Sequence, residues 1–151
     1  MRGILVKQEQ RRMVALMERL APAEGYNLSA LPGVRLLRSN RPLMRTPVLY
    51  EPGIVIVCQG RKRGFLGEQV YLYDAQHYLA VAVPVPFSME TEASEMEPML
   101  AIYLHLDLQL TADLLLELEA RGLAVQAEPK GMLSTPWTSR WPLRCCGCWR
   151  R

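Results

Sequence analysis

Five tyrosines, two histidines and one run of three cations carry most of the chemistry available to this chain. Tyr50, Tyr71, Tyr73, Tyr78 and Tyr103 crowd a region otherwise built of short apolar runs. A ring with a polar tip suits the wall of a ligand pocket, and it equally suits one face of a sheet. The segment QGRKRG, residues 59–64, sets Arg61, Lys62 and Arg63 between two glycines, where the cations can receive a carboxylate, a sugar or a phosphate. The competing reading is a solvated turn at a sheet edge. His77 and His105 are the only histidines, and neither belongs to a His-x-His pair. An iron, manganese or zinc centre needs further ligands such as Glu90 or Glu92, and nothing in the spacing asks for them. No metal site and no cofactor are predicted. His77, just ahead of a strand, is expected to be a hydrogen-bonded structural or pocket residue. No Ser-His-Asp, Cys-His, Walker or GxGxxG pattern appears, so hydrolase and nucleotide-dependent chemistry have no support and no enzymatic activity is expected.

These residues need a scaffold, and the composition bounds it. A chain of 151 residues, half of them apolar, suits one domain with a hydrophobic core. No stretch approaches the roughly 20 continuous apolar residues of a membrane span, and MRGILVKQEQRR becomes charged too early for a signal peptide. A cytoplasmic location is expected, and Cys58, the only cysteine before the last seven residues, fits a reducing compartment. The net charge is +3, but four of the eighteen cations (Arg140, Arg144, Arg150 and Arg151) follow Pro136, where there are no acids. The remainder holds 14 basic against 15 acidic residues, a balance of −1, which is not the footprint of a nucleic-acid surface.

Along the chain, Met13, Leu16, Met17 and Leu20 recur at helical spacing in QEQRRMVALMERL, and Ala21-Pro22 follows as a stop. From Gly25 to Asp107 the texture changes to short apolar or alternating runs separated by Pro and Gly. They are VRLLRS (34–39), GIVIVCQG (53–60), RGFLG (63–67), QVYLYD (69–74), HYLAVAV (77–83), FSMETE (87–92) and MLAIYLHLD (99–107). Seven or more strands at such spacing predict an antiparallel sandwich or barrel, with Gly67-Glu68 as a tight hairpin turn. A helical period returns in LTADLLLELEARG, with Thr111 as the expected N-cap and Gly122 near the stop. Leu114, Leu115, Leu116 and Leu118 exceed what one buried stripe needs, so this helix can serve the barrel and also a second copy of the chain.

The strings GYNLSALPGVRLLRSNRP and TPVLYEPGIVIVCQGRKRGFLGEQVYLYDAQHYLAVAVPVPFSMETEAS resemble the N-terminal domain of one branch of the AraC-type bacterial transcription regulators, over roughly residues 10–136. The resemblance implies a mainly β fold with flanking helices, a cupin-like antiparallel β-barrel (double-stranded β-helix). It further implies a domain that senses a small effector and dimerises, while a separate C-terminal pair of helix-turn-helix motifs binds the promoter. Residues 1–24 are then an N-terminal helical segment, 25–108 the barrel, and 109–136 a C-terminal helix and linker. The expected contacts to an effector of unknown identity are Tyr50, Arg61, Tyr71, Tyr73, His77 and Tyr103, and those of a homodimer Leu114, Leu115 and Leu118. Because cupin barrels often hold a metal, a small metal-dependent cupin enzyme is the alternative.

Residues 137–151 break from this pattern. WTSRWPLRCCGCWRR holds all three tryptophans and three of the four cysteines. Cys145, Cys146 and Cys148 are crowded thiols with no nearby histidine, a poor match to tetrahedral zinc. Reading the DNA one base earlier turns most Trp and Cys codons into triplets for Leu, Val or Met and yields a helical apolar pattern. The expectation is a shift of reading frame near Pro136, so that this chain lacks the DNA-reading half of the family and reaches DNA only through it.

Overall fold

Alternation of residue character sets the shape of this chain. The computed structural model describes residues 2–123 and 130–137. It contains two helices, α1 (Arg2–Leu20) and α2 (Leu108–Ala120). The ten strands are β1 (Gly25–Leu28), β2 (Val34–Ser39), β3 (Leu43–Tyr50), β4 (Gly53–Gln59), β5 (Arg61–Leu66), β6 (Gln69–Asp74), β7 (His77–Val81), β8 (Val85–Glu92), β9 (Met99–His105) and β10 (Met132–Pro136). Every pairing is antiparallel, in the order β1-β2-β9-β4-β7-β6-β5-β8-β3, with β10 on the other side of β7. The result is a curled β-barrel with flanking helices.

β6 and β7 share only the ladder pair Asp74↔His77, at the corner where the sheet bends into two walls. One wall is β1-β2-β9-β4-β7-β10, and the other is β6-β5-β8-β3. In β8, Val85, Phe87, Met89 and Thr91 are buried while Pro86, Ser88, Glu90 and Glu92 face outward, a period of two that puts one face in the core. Val55, Val57, Leu79, Val81, Met99 and Ala101 answer from the opposite wall, and Tyr73 from β6, to form one continuous interior. Gly67 adopts φ +59 at the first position of the two-residue turn joining β5 to β6, a conformation open to glycine because it has no Cβ.

The outer face of β2, β4 and β9 carries a second, smaller core. There Leu36, Cys58 and Leu100 receive Met17 and Ala21, with Met13 and Val14 packed at the margin. Residues 13, 14, 17 and 21 share one helical face, whereas Leu16 and Leu20 lie about a quarter-turn away and remain exposed. The buried stripe is therefore rotated by one residue from the one predicted through Leu16 and Leu20. A bulge pairs Val57 with Ala101 and then Gln59 with Leu100, and the carbonyl of the extra residue, Cys58, accepts a hydrogen bond from Gln10 Nε2 at 2.7 Å.

β1, β3 and β10 join the seven runs read from the sequence. β3 contains Pro47 and a register shift between Leu43 and Thr46, and it forms one free edge of the barrel; both features suit an edge that must not pair further. β10 lies in the stretch expected as linker, and its pairing with β7 runs on to Trp137, whose N–H donates to Gln76 O at 2.9 Å and whose ring lies 4.7 Å from that of Tyr78. α2 is capped by Asp107, not Thr111: the Asp107 carboxylate accepts from the Leu110 N–H at 3.0 Å, while the Thr111 hydroxyl donates to the Asp107 carbonyl. No described helix is long and apolar enough to cross a membrane. The altered reading frame and the three-cysteine run are expectations that fall, from residue 138 on, outside the described residues.

Candidate functional site

β1 and β3 end the sheet path at opposite sides, and a cavity of about 440 Å³ opens between them into the barrel. Tyr26 of β1, Leu37 of β2, and Val48 and Tyr50 of β3 line its sides, with Lys62, Met89, Thr91 and Met99 deeper in. Its size and mostly apolar lining suit a small organic ligand.

Lys62 reaches the interior because β5 alternates. Arg61 and Arg63 face solvent, Lys62 and Gly64 face inward, and Lys62 sits directly opposite Thr91 in the β5–β8 ladder. The lysine is 2% exposed. Its ammonium donates to Thr91 Oγ1 at 3.0 Å and to Met89 Sδ at 3.3 Å, and no described carboxylate lies within ion-pair distance of it. Burial lowers its pKa from 10.5 to about 8, so at neutral pH it remains mostly charged inside the barrel.

The tyrosines divide by depth. Tyr50 lines the cavity, meets Phe87 edge-on at 4.8 Å and Tyr103 at 6.4 Å, and places its hydroxyl 3.5 Å from that of Tyr73. Tyr73 is wholly buried in the core and backs Tyr50 without lining the cavity. Burial pushes the phenol of Tyr50 up to about 12 and that of Tyr73 well above its ordinary value, so both act as neutral hydrogen-bonding groups. Tyr71 packs against the core from the next inward position of β6. The Tyr103 hydroxyl donates to the Glu51 carbonyl at 2.9 Å, away from the cavity lining.

Arg61 and His77 lie on the outside. Arg61 stands 3.9 Å from Asp74 and 4.0 Å from Glu92, at the edge of a larger, more open and more polar groove of about 820 Å³ beside α1. His77 Nδ1 is 2.9 Å from Asp74 Oδ1 at the corner where the sheet bends. That hydrogen bond helps hold the Asp74 carboxyl below its ordinary range, against a desolvation effect that is individually larger and acts the other way. Glu90 and Glu92 also face outward, bound to Arg63 at 2.7 and 2.8 Å. Among the described residues no three His, Cys, Asp or Glu side chains come together as a metal site.

Of the six ligand contacts expected from the sequence, Tyr50 is thus on the cavity wall, Tyr73 behind it, and Tyr71, Tyr103, Arg61 and His77 elsewhere. Lys62, Thr91, Met89 and Met99 complete the site. Their signal was present: in a strand, Arg-Lys-Arg sends the middle cation to the opposite face, and Ser-Met-Glu-Thr-Glu puts Met and Thr together on the apolar side. α2, with Leu114, Leu115 and Leu118, has no buried residue, and these three leucines are 52, 54 and 38% exposed.

The described residues thus form an open-sided β-barrel with a mainly apolar cavity, one buried lysine and a helix, α2, whose leucines they leave exposed. The particular family follows from residues 30–143, which match the AraC-type transcriptional regulator N-terminus: the chain belongs to that family, and its domain is the N-terminal domain of a regulator. No curated protein matches the chain.

Proposed function

We propose that this domain senses a small-molecule effector in the cavity between β1 and β3 and dimerises through α2, as a cupin-like sensor of a cytoplasmic AraC-type regulator. The observation that carries this reading is Lys62, a charged side chain kept inside an otherwise apolar barrel at the end of an open cavity. Retaining it there costs stability that a methionine or leucine would not, and such residues concentrate at functional sites.

The route from ligand to partner begins at the cavity wall. Glu24, Gly25 and Tyr26 line it immediately after α1, and this junction is held by Asn27, whose side-chain amide bonds both the N–H and the carbonyl of Ala23 at 3.2 and 2.8 Å. A ligand bridging β1 and β3 restrains this junction and so favours one placement of α1 on the barrel. Leu114, Leu115 and Leu118 would meet their counterparts across a two-fold axis, which explains why they are apolar and uncovered. Promoter contact falls to a helix-turn-helix module and not to this domain, since residues up to Pro136 carry a charge balance of only −1.

Thermal-shift screening of the 151-residue chain against a panel of small metabolites tests the sensing role. A stabilising compound that no longer stabilises Val48→Trp, which fills the cavity, supports it; a panel that stabilises neither protein counts against it.

A further inference from the structure

We infer that the effector is an organic carboxylate whose carboxyl group binds Nζ of Lys62, with its apolar body lying against Leu37, Val48 and Met99. This rests on the effector-binding role of the cavity and adds the ligand's chemical class.

Geometry supplies the reason. An ammonium has three N–H donors. In Lys62 one is given to Thr91 Oγ1 at 3.0 Å and a second to Met89 Sδ at 3.3 Å, and a thioether is a weak acceptor that yields readily to an oxyanion. A carboxylate accepts from the third N–H and supplies the missing counter-charge. The charges around the cavity agree with an anionic guest. Arg38 also lines it, donating through Nε to Asn40 Oδ1 at 2.9 Å, and the single acid among the described lining residues, Glu24, already faces Arg41 at 3.4 Å. Tyr50 contributes a neutral hydroxyl at the same wall. A phosphate ester fits less well, because a dianion requires more donors than one half-committed lysine offers and the remaining walls are largely apolar.

The same geometry selects against neutral isosteres. An amide placed on Lys62 leaves the buried cation without a counter-charge, so the discrimination between acid and amide is that of a charge-assisted hydrogen bond to a buried group, roughly tenfold or more in affinity.

The test is calorimetric titration of the full chain with straight-chain monocarboxylates from butyrate to decanoate, with benzoate and phenylacetate, and with the primary amide of each. It is repeated on Lys62→Met and on Val48→Trp, with circular dichroism confirming that each variant is folded. The expected result is an acid that binds the natural chain roughly tenfold or more tighter than its amide. Lys62→Met should lose that preference, and Val48→Trp should bind neither compound. Equal affinity for an acid and its amide, or an acid affinity unchanged in Lys62→Met, overturns the assignment. Amides that bind the natural chain and are lost in Val48→Trp leave the cavity as an effector site while refuting the carboxylate; a panel in which nothing binds at millimolar concentration refutes the carboxylate outright.

Discussion

Replacing Lys62 by methionine should make the protein more stable at neutral pH, by an amount that depends on pH in a defined direction. The unfolded lysine titrates near 10.5 and the folded one near about 8. Below about pH 8 it is charged in both states, and the folded state bears the whole cost of burying that charge. At roughly 1.4 kcal/mol per pH unit of difference this is about 3 kcal/mol. Between pH 8 and 10.5 the unfolded chain binds more protons than the folded one, so stability rises with pH and the cost fades. Methionine is similar in length and apolar, so Lys62→Met removes the cost. It also leaves the Thr91 hydroxyl without its donor, which returns about 1 kcal/mol. The variant should therefore be about 2 kcal/mol more stable at pH 7, and by pH 10 the natural chain should recover about 2 kcal/mol relative to it. Cys58 and Tyr50, each pushed up to about 12 by burial, act in the opposite sense above pH 9, but they are common to both proteins and drop out of the comparison. Urea unfolding of both proteins at pH 7 and pH 10 measures this. A variant less stable at pH 7, or a difference that does not move with pH, would show that Lys62 is not a buried charge held at a cost.

Met17, on the sheet-facing side of α1, is 2% exposed, so Met17→Ala should cost about 3 kcal/mol in urea unfolding and raise amide hydrogen exchange along α1 more than in β4 or β9. The paired change Leu114→Glu and Leu118→Glu alters exposed positions only; it should leave the melting temperature within a few degrees while converting a dimer to a monomer in sedimentation velocity, and a dimer that persists would remove α2 from the interface.

The sequence disclosed what depends on local periodicity. β2, β4, β6 and β9 begin at the residues where the apolar runs VRLLRS, GIVIVCQG, QVYLYD and MLAIYLHLD begin, because each strand has at least one face buried and shows it. β3 was hidden by Pro47 and its bulge, which mark an edge strand and also interrupt the alternation that announces one. The buried face of α1 shifted to Val14 and Ala21 because the partner surface, not helix hydrophobicity, decides which of two adjacent apolar stripes is covered. Of the proposed cavity lining, Tyr50 is legible as an aromatic ring with a polar tip in a strand, whereas the inward-facing member of Arg61-Lys62-Arg63 is not, since it depends on the phase of β5 against β8. Tyr103 and His77 carry polar groups suited to a pocket, yet the carbonyl of Glu51 and the carboxylate of Asp74 engage them elsewhere.

Entry of a ligand into the barrel between β1 and β3 can be read from a spectrum of the chain carrying ¹³C-methyl methionine, titrated with a compound that raises its melting temperature. The methyl signals of Met89 and Met99, on the cavity lining, should shift with saturation while those of Met13 and Met17, on the sheet-facing side of α1, move little. Shifts confined to Met13 and Met17 would contradict entry between β1 and β3.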